Sequence, residues 1–423
     1  RQPVPGRRAQ RPRTARWIVG IVTTLGAVAV GWLIYDRLLA TRGPFNWDEA
    51  THALKGVLFA HNIRQGQWLA LLFDSYRQVL YPPLHSLSAA LFFLISAPSV
   101  QTAGLVSLAS FVLLAPVLYA AAGYLRDEGQ VVAGVVAAVL CLGSPMLMSF
   151  ATRTMLEIPG LLFLSLTLLI YLRILRDDAH PRAYAVLGLS VAITYFARIH
   201  YGVLIFIAIA VAMILEAWLD SRSLVHPRTL YFLAALFVVF GLWFAYLPKL
   251  VSTIGWLINA PNVSDPYSLS RWLFYPQATV RLSGSLLMFG VYLLVTGISI
   301  ARFGRSRRVR FLLVVFWVQL LLGLLHHNRQ DRYLFPMLPP IFLLTGHLTA
   351  HVLSWRRERS TPARLSAAWL LPLALIASAG ILFFSTLQQA PVRAHMNLDD
   401  VRQISQIVED AGVSMVIGST DMR

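Results

Sequence analysis

Charged residues are scarce in this 423-residue chain, where Asp, Glu, Lys and Arg together make up 13%, about half of the share in soluble domains. Lysine is nearly absent: Lys55 and Lys249 are the only two, so the net charge of +17 comes from arginine. The single cysteine, Cys141, excludes an intrachain disulfide and a cysteine-based metal site. With 57% hydrophobic residues and a mean hydropathy of +0.64, the composition indicates an all-α polytopic membrane protein.

Long apolar runs are what the chain has in abundance. Ten are long enough for a helix to cross the hydrocarbon core, at about 17–37, 100–123, 131–149, 158–175, 200–219, 229–248, 284–302, 311–326, 334–353 and 366–387. A shorter run at about 183–197 makes eleven predicted membrane helices. The run after Arg16 is too long for a signal peptide and has no small-residue cleavage site, so it predicts a membrane anchor.

The arginines lie in short segments between these runs, which the positive-inside rule explains without a nucleic-acid partner. The remaining ambiguity is the apolar stretch 84–97, which is short for a span and is bracketed by Pro82, Pro83 and Pro98. If this stretch does not span, the basic N-terminus and the later arginine-rich loops all fall on one side. We therefore expect a re-entrant or interfacial helix within a long first outer loop, 38–99.

This topology divides the chain into three parts. Residues 1–16 form a basic cytoplasmic N-terminus, residues 17–387 the membrane domain, and residues 388–423 a non-cytoplasmic segment. A further outer loop is expected at 249–283. Helical spacing over Asn397–Ala411 and a short strand over Ser414–Gly418 predict the start of a small α/β region that is cut off at Arg423.

Three carboxylates fall on the predicted non-cytoplasmic face. Asp48 and Glu49 follow the first span, with no Lys or Arg within two residues, and Glu157 begins a later span. Acidic side chains at the edge of a bilayer are costly unless they are solvated, paired or functional. They are candidates for general-base chemistry, and the alternative is that they cap the helices they begin.

Cationic and aromatic side chains emerge on the same face. Arg153, Arg198 and Arg332 each stand at the outer end of a predicted span, where snorkelling is the alternative to binding a phosphate. The histidines His52, His85 and His200 have no recognised metal-ligand spacing. An interfacial hydrogen-bonding role is the simpler interpretation for each of them.

The order of these motifs resembles that of the GT-C glycosyltransferases, in the branch of the protein O-mannosyltransferases and the lipid A aminoarabinose transferase. The motifs are Trp47-Asp48-Glu49, Tyr81-Pro82-Pro83-Leu84, Arg153 to Pro159, Ala197-Arg198-Ile199-His200-Tyr201-Gly202 and Arg332-Tyr333-Leu334-Phe335-Pro336. The resemblance covers roughly residues 17–390. It implies a sugar donor linked to polyprenyl phosphate, used on the non-cytoplasmic face of a bacterial plasma membrane, and an acceptor lipid, glycan or protein.

The resemblance also implies roles for individual residues. Asp48 is the expected general base, with Glu49 and Glu157 as further catalytic acids. The expected phosphate-binding residues are Arg153, Arg198, Arg332 and Tyr333, and the expected substrate-binding residues are His52, Tyr81, His85 and His200. The family often has Lys or Arg before the Pro-Pro pair, where this chain has Tyr81, so Arg64 or Arg77 are alternative phosphate ligands.

Two points stay open at this stage. Metal dependence differs among GT-C branches, so no cofactor is certain and a divalent metal remains open. The alternative function is a polytopic transporter or flippase for a lipid-linked or anionic substrate. Transporters place polar groups near the membrane midplane and often contain repeats, whereas here the polar groups lie at span ends.

Overall fold

A computed structural model describes residues 13–43, 45, 47–78, 81–126, 128–177, 179–219, 226–259, 269–325, 330–359 and 369–388. These residues form α1 Arg13–Ile34, α2 Trp47–Arg64, α3 Trp68–Arg77, α4 Pro83–Ile95, α5 Val100–Ala122, α6 Gln130–Leu142, α7 Pro145–Ala151, α8 Glu157–Asp177 and α9 Ala183–Ala197. They continue with α10 Ile199–Leu219, α11 Pro227–Trp243, α12 Leu247–Asn259, α13 Leu269–Ser283, α14 Leu286–Phe303, α15 Arg307–Leu325, α16 Leu338–Arg359 and α17 Leu370–Gln388. A π-helical turn, Tyr35–Leu39, extends α1, and a 3₁₀ segment, Asp331–Met337, precedes α16. The predicted all-α class is confirmed for the described residues.

Seven helical stretches of the described chain are long and apolar enough to cross a membrane. Two broken helix pairs raise the number to nine if each pair is one span: α6 with α7, bent by 62°, and α11 with α12, bent by 100°. The sequence predicts eleven spans, and one of these, α9, is a helix of only 15 residues. The chain is an integral membrane protein by this pattern.

The predicted break near residue 198 is present. Helix α9 ends at Ala197 and α10 begins at Ile199, so residues 183–219 form two helices rather than one. Arg198 between them has an extended backbone, with φ −159° and ψ 118°. Its neighbour in space is the start of α8, because a Cβ on Gly160 would lie 2.9 Å from the Cβ of Arg198.

The helices pack most extensively between α6 and α16, between α5 and α8, and between α9 and α11. Small residues permit the closest approach, as membrane helices commonly require. A Cβ on Gly346 of α16 would lie 2.2 Å from the carbonyl oxygen of Ala133 in α6. This packing fixes α8, which carries Glu157, and the segment before α16, which carries Arg332 and Tyr333.

The first outer loop is helical and has a small core of its own. Ala53 and Phe59 of α2 are buried with Ala89 and Phe93 of α4. The Arg64 guanidinium donates to the carbonyl oxygen of Phe93 at 2.5 Å, which joins the end of α2 to α4. Helix α4 has 13 residues; that it is re-entrant or interfacial stays a prediction. The helix and strand predicted over 397–418 lie outside the described residues.

Candidate active site

Four separate chain segments, together with Tyr81 of the loop before α4, meet around one cavity of about 70 Å³. They are the first turn of α2, the start of α8, the break between α9 and α10, and the 3₁₀ segment before α16. The residues that line the cavity are Asp48, His52, Tyr81, Met155, Leu156, Glu157, Arg198, Ile199, His200, Arg332 and Tyr333. Most of the residues expected from the sequence to form the site are therefore brought together.

Each segment presents its residue at the point where a helix begins or breaks. Asp48 and Glu157 stand in the first turns of α2 and α8, where the helix dipole favours negative charge. The α9–α10 corner depends on Gly202, because a Cβ there would lie 2.3 Å from the Cα of Tyr195. Only glycine allows α10 to fold back this closely on α9, and the corner holds Arg198 at its vertex.

An ion network joins the four segments. Arg198 Nη1 lies 2.9 Å from Glu157 Oε1, and Arg332 Nε lies 3.3 Å from the same oxygen. Arg332 Nη2 reaches Asp48 Oδ2 at 3.3 Å. The Glu157 side chain is fully buried, whereas that of Asp48 is 23% exposed. A buried carboxylate needs such partners, so Glu157 orients both guanidiniums while Asp48 keeps access to the cavity.

Glu49 has a different environment from its neighbour Asp48. Its carboxylate accepts from Arg42 Nη2 at 2.5 and 2.6 Å and from the backbone N–H of Thr154 at 3.1 Å. The side chain is 1% exposed and is not among the cavity-lining residues. The same Arg42 donates to the carbonyl oxygen of Thr152, so Glu49 and Arg42 fasten α2 to the loop before α8.

His52, Tyr81 and His85 form an aromatic group on one side of the cavity. The His52 and Tyr81 rings meet edge-on with centroids 4.5 Å apart, and His52 and His85 are 5.4 Å apart. Burial, with smaller contributions from the nearby His85 and Lys55, holds the pKa of His52 well below its usual value. Burial lowers the pKa of His85 to about 4. Both imidazoles are therefore neutral at pH 7, and His85 lies behind His52 rather than in the cavity lining.

Tyrosine rings also lie next to the guanidiniums of the site. Arg198 lies 5.1 Å from the ring centroid of Tyr201 and 5.7 Å from that of Tyr333. Arg332 also lies 5.7 Å from the Tyr333 ring, and the His200 ring is 5.6 Å from it. These cation–π contacts help to hold the two arginines beside the cavity.

Three predicted phosphate ligands lie elsewhere. The Arg153 guanidinium stacks 4.6 Å from the Phe150 ring and does not line the cavity. Arg64 is engaged with Phe93, as described above, and Arg77 is exposed at the end of α3. Neither Arg64 nor Arg77 lines the cavity.

The acidic side chains of the cavity are paired with arginines. Within the described ranges, no group of three or more His, Cys, Asp or Glu side chains could hold a metal ion. Asp48 and Glu157 both face guanidiniums, which does not fit a cation site. Among the described residues, Arg198 and Arg332 bring positive charge to the carboxylates of this cavity.

Two site features were missed from the sequence. One is Arg42, the partner of Glu49, which stands seven residues before it in the chain. The sequence analysis considered cations only within two residues of Glu49. Lys55 lies with its ammonium 4.8 Å from the Tyr81 ring centroid. The sequence feature that could have indicated Lys55 is its position three residues after His52, which puts both on the same face of α2.

Comparisons with known proteins agree with this geometry. Residues 81–244 match the family described as dolichyl-phosphate-mannose-protein mannosyltransferase. The matched segment runs from the Tyr81 loop to α11 and contains Glu157 and Arg198, while Asp48 and Arg332 lie outside it. Among curated protein sequences, none matches the chain significantly.

Solved structures match over nearly the whole chain. ArnT from Cupriavidus metallidurans bound to undecaprenyl phosphate has a TM-score of 0.62 and 14% identity, over 95% of this chain and 81% of that one. The oligosaccharyltransferase AglB from Archaeoglobus fulgidus, in complex with an inhibitory peptide and a dolichol-phosphate, has a TM-score of 0.56 and 13% identity. That match covers 89% of this chain, which spans 56% of the length of AglB. The GT-C fold expected from the sequence motifs is confirmed.

Proposed function

We propose that this chain is a membrane glycosyltransferase that moves a sugar from a polyprenyl-phosphate donor to an acceptor on the non-cytoplasmic face. The observation that carries the proposal is the ion network in which Arg332 bridges Asp48 and Glu157 beside a cavity. The GT-C fold and the mannosyltransferase-family match over residues 81–244 support it. The donor sugar is a hexose or pentose, and the acceptor carries a hydroxyl or amine on a lipid, glycan or protein.

The proposed reaction assigns the proton to Asp48, which is the more exposed of the two cavity carboxylates. Its carboxylate takes the proton from the acceptor as the acceptor oxygen or nitrogen attacks the anomeric carbon. The bond from that carbon to the phosphate oxygen breaks, and the electron pair leaves on polyprenyl phosphate. Attack opposite the leaving group inverts the anomeric configuration.

The proposed role of the arginines is to receive the leaving phosphate. Arg198 and Arg332 converge on one oxygen of Glu157, so their positions are fixed before the donor binds. Pre-oriented guanidiniums stabilise the charge that develops on the leaving group without the cost of reorganisation. Glu157 is then a positioning residue, and Glu49, held by Arg42, positions the α2 turn that carries Asp48.

The proposed location follows from the charge pattern. Arginine-rich loops on the side opposite the cavity support a cytoplasmic N-terminus and an active site on the non-cytoplasmic side. A bacterial plasma membrane fits the arginine-rich composition. The donor lipid would then reach Arg198 and Arg332 from the outer leaflet.

The test is the Asp48→Asn variant in purified protein, with release of sugar from a polyprenyl-phosphate donor as the measurement. Loss of the base is expected to lower the transfer rate about 100-fold or more. Asp36→Asn is the matched control, because Asp36 is an exposed acid paired with Arg37 outside the site, and it is expected to retain the parent rate. Equal rates for Asp48→Asn and the parent protein, with intact folding, would reject Asp48 as the base.

The same purified protein can distinguish a transferase from the alternative, a transporter or flippase. Proteoliposomes loaded with the donor lipid on one leaflet are expected to show sugar transfer without net movement of intact donor. Movement of intact donor that Asp48→Asn leaves unchanged would favour the flippase instead. The placement of the ion network at helix starts favours the transferase.

A further inference from the structure

The cavity is balanced in charge before any substrate enters. Its lining carries two carboxylates, Asp48 and Glu157, and two guanidiniums, Arg198 and Arg332, which pair with one another. A donor phosphate adds at least one further negative charge, and the leaving phosphate monoester carries more. A low-dielectric site binds such an anion well only if a further cation lies nearby.

Lys55 supplies a cation of this kind. Its ammonium has no hydrogen bond or ion pair with any residue that the structure describes, and it rests over the Tyr81 ring at 4.8 Å. Tyr81 lines the cavity, and so does His52, which precedes Lys55 on α2 by three residues. Burial lowers the pKa of Lys55, which indicates a charge that is partly removed from water without a compensating carboxylate.

The position of Lys55 on α2 puts it on the helix face that carries two cavity-lining residues. Asp48, His52 and Lys55 follow the i, i+4, i+7 spacing of one helix face. Side chains on a helix tilt toward its N-terminus, which for α2 is the end that carries Asp48. The Tyr81 ring holds the long lysine side chain by a cation–π contact and leaves its N–H groups able to bind an anion.

We propose that Lys55 binds the phosphate of the polyprenyl donor, from the part of the cavity that Tyr81 and His52 line. This inference rests on the proposed function and adds a residue that the sequence motifs did not indicate. The ammonium makes up the positive charge that the paired arginines lack. The donor phosphate is thus held between a lysine of the first outer loop and an arginine of the membrane domain.

The test measures lipid binding to the full-length purified chain in detergent, without catalysis. The probes are decaprenyl monophosphate and decaprenol, which differ only in the phosphate. Lys55→Met is expected to weaken the Kd for decaprenyl monophosphate about tenfold or more, as for loss of a charge-assisted hydrogen bond. It is expected to leave the Kd for decaprenol unchanged, and Lys55→Arg is expected to restore most of the phosphate affinity.

Arg77→Met is the matched control, because it removes one exposed positive charge from the same outer loop without a cavity contact. It is expected to bind both lipids as the parent protein does. Lys55→Gln provides a second variant if Lys55→Met does not fold. Parent-like binding of the phosphate lipid by Lys55→Met, or an equal loss for both lipids, would overturn the inference. A parent protein that does not prefer the phosphate lipid would instead reject the proposed function itself.

Discussion

The two ends of α8 use arginine in different ways. The helix has 21 residues and is about 31 Å long at 1.5 Å per residue. At its first residue, Glu157, the guanidiniums of Arg198 and Arg332 converge on a carboxylate. Near its last turn, Arg176 Nη1 donates to the carbonyl oxygen of Gly123 at 2.8 Å, just beyond the end of α5. Both ends are rich in arginine, but at the first end the guanidiniums meet carboxylates and line a cavity.

The far end shows arginine in a capping role. Arg308 Nη1 donates to the carbonyl oxygen of Tyr124 at 2.6 Å, and Arg176 also lies 5.7 Å from the Tyr124 ring. Cations near a helix C-terminus satisfy the last carbonyls and complement the dipole. The comparison teaches that arginines alone indicate topology, whereas carboxylates from separate segments that meet arginines indicate a site.

The sharpest test of this comparison is Glu157→Gln. It leaves two largely buried guanidiniums facing a neutral amide, and removal of one partner from a buried ion pair costs about 3–5 kcal/mol. Thermal unfolding in detergent is expected to show a lower midpoint, together with slower sugar transfer. Glu128→Gln, at an exposed acid near the far end, is the control and is expected to unfold as the parent does. Parent-like unfolding of Glu157→Gln would mean that the carboxylate does not hold the arginines.

A second test displaces Arg198 at the corner between α9 and α10. Gly202→Ala would place its Cβ 2.3 Å from the Cα of Tyr195, a backbone contact that no rotamer relieves. Overpacking of this kind costs about 1–3 kcal/mol, and the displaced Arg198 is expected to weaken binding of decaprenyl monophosphate. Gly241→Ala is the matched control, because a Cβ there would meet no atom within 4 Å. Equal stability and binding in the two variants would show that the corner does not position Arg198.

Much of the fold followed from local sequence. Apolar runs between arginine-rich segments predicted most of the long helices, because the length of a span is fixed by the bilayer. The polar pair at Arg198 and His200 correctly indicated a break. A single helix over 183–219 would carry the charge of Arg198 into the hydrocarbon core. Seven helices of the described residues, or nine if each bent pair is one span, are long and apolar enough to cross a membrane, and α9, which the sequence count of eleven includes, has only 15 residues.

The sequence predicted which residues lie close together better than it predicted which ion pairs they form. Motifs placed Asp48, Glu157, Arg198 and Arg332 on one face, but which guanidinium meets which carboxylate depends on packing between segments far apart in the chain. The Arg332–Asp48 contact joins residues 284 positions apart, so no local pattern encodes it. Arg153 illustrates the converse: its motif is intact, yet its guanidinium stacks on Phe150 outside the cavity lining.

The smallest expected effect comes from Arg176→Gln at the far end of α8. The change removes a charge-assisted hydrogen bond to Gly123 and a cation–π contact with Tyr124, together worth about 1 kcal/mol at a partly exposed position. A small decrease in the thermal midpoint is expected, with the sugar-transfer rate unchanged, because Arg176 lies about 28 Å along α8 from Glu157. Rate and midpoint are measured on the same preparation as Glu157→Gln. If Arg176→Gln slowed transfer as strongly as Glu157→Gln does, the two ends would be coupled through α8, and the division between capping and site arginines would be wrong.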